Sequence, residues 1–144
     1  QWMEAGEKDR QLAVWRARLG GEQPVLQLPA EHPRRADGRY RAAMHAWNLP
    51  ADRARALRTA AQARGLTPFM ALLAAFQVAL YRWSGQQDVR VGVPVANRGR
   101  IETEGLVGLF VNTQVLRLPL NGRMPLSTAL DSVRDAALEA QAHQ

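Results

Sequence analysis

Glu104-Gly105-Leu106-Val107-Gly108-Leu109-Phe110-Val111-Asn112-Thr113-Gln114-Val115-Leu116-Arg117 is the stretch whose reading decides the fold. Gly105 and Gly108 punctuate a turn, and from Leu109 the residues suit a pleated strand whose side chains alternate between two faces. Leu109, Val111, Thr113 and Val115 share one face; Phe110, Asn112, Gln114 and Leu116 share the other. The second face sets two carboxamides among apolar neighbours. A buried carboxamide without hydrogen-bond partners costs about 1–3 kcal/mol on mutational scales. Asn112 and Gln114 are therefore either structural pins or groups that line a polar cavity.

Upstream, residues 88–97 alternate Val89, Val91, Val93 and Val95, the period of a second strand that can neighbour the first in one sheet. Pro94 lacks a ladder donor and favours an edge or a strand end. Before it, Thr67-Pro68 is a helix start, with threonine as cap and proline in the first turn. The helix over 68–83 is apolar almost all round, which predicts burial on most sides and a central place in the core. Ser84-Gly85 ends it. Pro50 opens another helix with Ala51, Ala54, Leu57 and Ala61 on one side, and Gly65 is its expected stop. A strand is expected over residues 40–47. Residues 22–39 carry Pro24, Pro29 and Pro33 and read as a linker. Leu12, Trp15 and Leu19 mark a helix over residues 2–19, closed by Gly20-Gly21. Downstream of a turn at Asn121-Gly122, a last amphipathic helix is expected to bury Leu126, Leu130, Val133, Ala137 and Ala140.

Val107-Gly108-x-Phe110-Val111-Asn112-Thr113-Gln114-x-x-Arg117 resembles the fifth core motif of condensation domains from nonribosomal peptide synthetases. The run Val91-Gly92-x-Pro94-x-Ala96-Asn97-Arg98 before it, and His143-Gln144 at the opening of the sixth motif, fit the same family. The resemblance implies an α/β fold: part of a chloramphenicol acetyltransferase-like lobe, a mixed sheet packed by helices. It places the end of a first lobe at residues 1–21, an inter-lobe linker at 22–39 and part of a second lobe at 40–144. It implies amide-bond formation between a carrier-bound aminoacyl or peptidyl donor and an aminoacyl acceptor. Phosphopantetheine would be carried by partner carrier domains and not bound directly, and an adenylation domain would be adjacent. Asn112, Phe110 and Gln114 become substrate-channel candidates. Gly108, Val111, Thr113, Arg117, Asn97 and Arg98 become motif-supporting residues.

The family's catalytic motif is His-His-x-x-x-Asp-Gly, whose second histidine positions or deprotonates the acceptor amine. It does not occur in these 144 residues, where His32, His45 and His143 stand apart. No catalytic residue is assigned, and the chain alone is expected to be inactive. The resemblance puts the histidine motif upstream of Gln1 and the closing segments of the second lobe downstream of Gln144, so the chain is expected to be a portion of a larger domain. The alternative is a non-catalytic module of the same fold that docks carrier proteins.

Composition narrows the remaining classes. There is no cysteine, which removes thiol chemistry and fits a cytoplasmic setting. No metal-ligand spacing is present, and no metal site is expected. The net charge is +6, and eighteen of the nineteen basic residues are arginine. The arginines are scattered among alanines without interleaved aromatics, so a nucleic-acid partner is not expected. The longest apolar run, residues 69–80, contains Gln77 and is shorter than the roughly 20 residues that span a bilayer; no membrane association is expected. A half-lobe is also expected to leave strand edges open to self-association.

Overall fold

A computed structural model describes residues 6–30, 42–97 and 105–143. Its elements are α1 (Lys8–Leu19), α2 (Ala51–Gln62), α3 (Pro68–Ser84), β1 (Asp88–Val95), β2 (Asn112–Pro119) and α4 (Leu126–Ala142). β1 and β2 pair antiparallel, from Asp88 opposite Pro119 to Val95 opposite Asn112. Among the described residues this pair is the whole sheet, and α3 and α4 pack against it. The α/β class with a sheet packed by helices holds, and the pairing seen is antiparallel.

Local chemistry sets the element ends. Thr67 caps α3, its Oγ1 accepting a hydrogen bond from the Met70 N–H at 3.2 Å, with Pro68 in the first turn. Such a cap contributes about 1 kcal/mol. Gly85 ends the helix in the left-handed region at φ 71°, where a side chain would be strained.

Even-numbered residues of β2 point inward: Gln114, Leu116 and Leu118 are buried. They meet Val89 of β1, Leu73, Ala74 and Leu80 of α3, and Val133 and Ala140 of α4 in one core. Gln77, which interrupts the apolar run of α3, lies in the middle of that core, 1% exposed. Its Nε2 donates to the Leu116 carbonyl at 3.0 Å and toward the Val89 carbonyl at 3.5 Å. One amide thus ties the core helix to both strands.

Four expectations are corrected. Residues 42–50 form no strand; Met44 and Trp47 are exposed, so no buried face organises that segment. Tyr40, where the strand is expected to begin, lies outside the described residues, as do Trp2, His32 and the turn at 34–38. β2 begins at Asn112 and not at Leu109. Its partner stops at Val95, and Asn97 turns away at φ 51°, so the ladder ends there. α3 is not buried all round: Phe69, Leu72, Phe76 and Trp83 are exposed on its outer side. The buried stripe of α4 is Ala129, Val133, Ala136 and Ala140, whereas Leu126 is 63% exposed. Small side chains on that stripe let the helix lie close to β2, Leu130 packs at the edge of the core, and Leu126 and Leu138 turn outward.

Candidate functional site

The first half of β2 forms one wall of a pocket of about 290 Å³. Asn112, Thr113, Gln114 and Val115 line that wall. Gln11, Trp15 and Leu19 of α1 form the opposite wall, and His143, just past α4, lies at the end. α1 is held there by polar contacts. The Trp15 indole Nε1–H donates to the His143 carbonyl at 3.0 Å, and Arg18 pairs with Glu139 at 2.8 Å.

A chain of polar contacts runs along the α1 wall of the pocket. Gln11 Nε2 donates to the Glu7 carboxylate at 2.5 Å, so Gln11 Oε1 is the atom that meets His143 Nδ1 at 3.1 Å. Arg10, and then Gln11, hold the Glu7 carboxyl below the usual carboxylate range. Glu7 is therefore a carboxylate near neutral pH, which fixes the Gln11 orientation.

Asn112 and Gln114 differ sharply. Gln114 is 7% exposed and its Nε2 donates to the Ala140 carbonyl at 2.7 Å, pinning β2 to the last turns of α4. Asn112 is exposed at the mouth, with Oδ1 accepting from the neighbouring Thr113 N–H at 2.8 Å. Among the described residues its Nδ2–H groups have no partner.

The other sequence-derived candidates are placed as follows. Phe110 is half-buried just before β2 and does not line the pocket; Gly108 and Val111 are exposed. Arg117 lies further along β2, its Nε donating to Asp88 Oδ1 at 2.8 Å and its Nη1 to the Arg18 carbonyl at 2.9 Å. Asp88 also receives Arg90 at 2.7 Å, and Arg90 reaches the Glu22 carbonyl and Gln23. This cluster ties α1 and the segment after it to the sheet. Asn97 lies two residues past β1, exposed; Arg98 lies outside the described residues.

Sequence reasoning misses the α1 wall and His143 as pocket residues. Trp15 and Leu19 stand out only as a helical stripe. Gln11 gives no signal at all, and His143 figures only as part of a motif opening. Among the described residues no group of three histidine, aspartate or glutamate side chains is placed to hold a metal ion. No helix among them is long and apolar enough to cross a membrane.

An antiparallel strand pair packed by helices, with a carboxamide-lined pocket at the start of β2, is the geometry that known proteins share or lack. The chain belongs to the condensation-domain family, whose pattern, described as "Condensation domain", matches residues 1–144. It is 49% identical to a linear gramicidin synthase from Brevibacillus parabrevis over 99% of this chain, which corresponds to 2% of that protein. Two solved structures share the fold. The first condensation domain of the calcium-dependent antibiotic synthetase aligns with TM-score 0.82 at 24% identity, over 99% of this chain and 32% of that one. A four-domain nonribosomal peptide synthetase bound to AMP and glycine aligns with TM-score 0.89 at 22% identity, over 96% of this chain and 10% of that one. The chain thus spans about a third of the length of a condensation domain and a few per cent of a whole synthetase polypeptide. Its relatives are peptide synthetases, among them enzymes named for linear gramicidin and for phosphinothricin tripeptide.

Proposed function

We propose that this chain contributes part of a condensation domain that joins a carrier-bound aminoacyl or peptidyl donor to a carrier-bound aminoacyl acceptor. The acceptor amine attacks the donor thioester carbonyl, the carbon–sulfur bond breaks, and the thiol remains on the donor's phosphopantetheine arm. The attacking amine gives up a proton to a base, which by resemblance is the histidine motif absent from these 144 residues. Donor and acceptor carrier domains and an adenylation domain of the same synthetase are the partners this reading requires. Residues 1–21 would close a first lobe, 22–39 would link, and 40–144 would belong to the second.

The observation that carries the reading is the convergence of Asn112, Thr113 and Gln114 on one pocket with His143. These residues belong to two separate stretches that resemble the fifth and sixth family motifs. Within that pocket Asn112 is the substrate-facing group, because its amide donors are unspent, and Gln114 holds the wall in place. Gly108, Val111, Thr113, Arg117, Asn97 and Arg98 support the motif, Arg117 through Asp88.

In a condensation domain that includes the histidine motif, Asn112→Ala is expected to lower dipeptide formation from loaded carriers about tenfold, the scale of one lost transition-state hydrogen bond. Unchanged turnover would remove Asn112 from the channel. The 144 residues alone, mixed with the same loaded carriers, are expected to yield no dipeptide above background. The isolated chain is also expected to self-associate through its open strand edges and exposed apolar side chains; a monomeric mass by light scattering would overturn that.

A further inference from the structure

A second concave surface lies where α2, α3 and α4 meet, with a volume of about 370 Å³ and no residue in common with the Asn112 pocket. Its floor is made by the small side chains Ala71 and Ala75 of α3. Leu57 and Ala60 of α2 form one wall, and Leu126 and Leu130 of α4 form the other. Pockets of this size accommodate several apolar groups.

Charge gives the groove a direction. Arg53, Leu57, Ala60 and Arg64 recur at spacings of four, three and four, which sets them along one side of α2 and the turn after it. Arg64 lines the groove, and Arg53 stands eleven residues earlier, about 16 Å along the helix axis. Arg53, Arg55, Arg58 and Arg64 are all exposed, and none has a carboxylate partner among the described residues. Asp52 is the only acidic residue of α2. Elsewhere the pattern is reversed: Arg134 is paired with Asp131 and Asp135, Arg18 with Glu139, and Arg117 with Asp88.

We propose that this groove docks an acidic amphipathic helix of a partner protein. Aliphatic side chains at helical spacing fill the slot, and carboxylates on either side of them meet Arg53 and Arg64. Two cations this far apart are spanned by three turns of helix and not by one small molecule. A second copy of the chain fits this groove poorly, because the carboxylates Asp131, Asp135 and Glu139 of α4 are already engaged with arginines.

The probe is a labelled helical peptide with leucines at positions i, i+4, i+7 and i+11 flanked by glutamates, titrated into the 144-residue chain and followed by fluorescence anisotropy. Two controls replace its glutamates with lysines or its leucines with alanines. The glutamate–leucine peptide is expected to bind at least about tenfold more tightly than either control, a difference of about 1.4 kcal/mol. Raising the ionic strength should weaken it. R53E/R64E should lower its affinity about tenfold, and Ala75→Trp, which fills the floor from an exposed position, should do the same with the arginines intact. Circular dichroism should show the same helix content in the variants as in the parent chain. Equal binding of the lysine peptide, indifference to both variants, displacement of the peptide by duplex DNA, or self-association that both variants abolish would overturn the proposal. Asn112→Ala should leave peptide binding unchanged, so this surface and the channel reading can fail separately.

Discussion

The two halves of the stretch 105–118 obey the same alternation and meet different fates. From Gln114 on, the even-numbered side chains are sealed between α3 and α4: Gln114, Leu116 and Leu118 are buried. Before Asn112, Leu106, Val107, Leu109 and Val111 are exposed although they are just as apolar. The boundary falls where β1 ends, since Val95 opposite Asn112 is the last pair of the ladder. Alternation fixes which face a residue joins, but the reach of the partner strand and of the covering helices fixes whether that face is dry. The same contrast separates Asn112 from Gln114, two residues apart on one face.

Truncating the dry half should have the largest effect. Leu118 is 1% exposed and sits between β1 and both packing helices. Leu118→Ala is expected to cost about 2–5 kcal/mol through lost burial and a residual cavity. Leu109→Ala, at 90% exposure, should stay within about 0.5 kcal/mol. Urea unfolding of the two variants measures the difference directly. Similar midpoints would mean that residues 105–111 are covered in solution and that the boundary at Asn112 is wrong.

Gln114 sharpens the comparison at the level of one hydrogen bond. Removing its amide takes the shorter of two hydrogen bonds from the Ala140 carbonyl, which keeps only the His143 N–H at 3.3 Å. Gln114→Ala is expected to cost about 1 kcal/mol for the hydrogen bond, with the loss of its buried side-chain packing added to that. Protection of the last turn of α4 in hydrogen exchange should fall with it. A variant that loses stability without loosening that turn would show that packing, not the pin, is what Gln114 supplies.

The dry end of β2 is also where charge bears on stability. Arg90 holds the Asp88 carboxyl below the usual carboxylate range, burial pushes it the other way, and Arg117 adds to the lowering. A lowered folded-state pKa means a contribution that is complete above the ordinary carboxylate value, near 3.9, and is lost as pH falls through the lowered one. Stability should therefore hold from neutral pH down to about pH 4 and decline below it. Asp88→Asn should flatten that decline and cost about 1 kcal/mol at neutral pH, a figure already discounted for solvent screening. An acid profile identical in the two proteins would show that other carboxylates govern it.

Much of this architecture is legible in the sequence because it rests on local signals. Thr67-Pro68 and Ser84-Gly85 bound α3, the valine alternation places β1, and the family motif marks β2. What is not legible depends on tertiary cover. An all-apolar helix predicts burial on every side, yet Phe69, Leu72, Phe76 and Trp83 lie on a side that no described element covers. The stripe of α4 misleads because large leucines outweigh alanines in any apolar pattern, while close approach to the sheet selects the alanines. At the pocket, Asn112, Thr113 and Gln114 are visible in the motif. Gln11 and His143 are not visible as lining residues, because 132 positions of sequence separate two side chains that touch.

The smallest expected effect is the most discriminating. Asn112→Ala removes a carboxamide that bonds to the adjacent backbone N–H at the exposed start of β2. Nothing buried is left without a partner, so the change in unfolding free energy should stay within about 0.5 kcal/mol. A structural role for Asn112 and a channel role both tolerate a loss of dipeptide formation in the larger domain, since a distorted wall and a missing donor each slow the reaction. Only the stability measurement separates them. If Asn112→Ala costs more than about 1 kcal/mol, beyond the range of ordinary surface substitutions, Asn112 belongs with Gln114 as a pin of the strand. If stability is untouched while product formation falls, the amide acts on what enters the pocket. The face shared by Asn112 and Gln114 then changes, over two residues, from holding the fold to contacting the substrate.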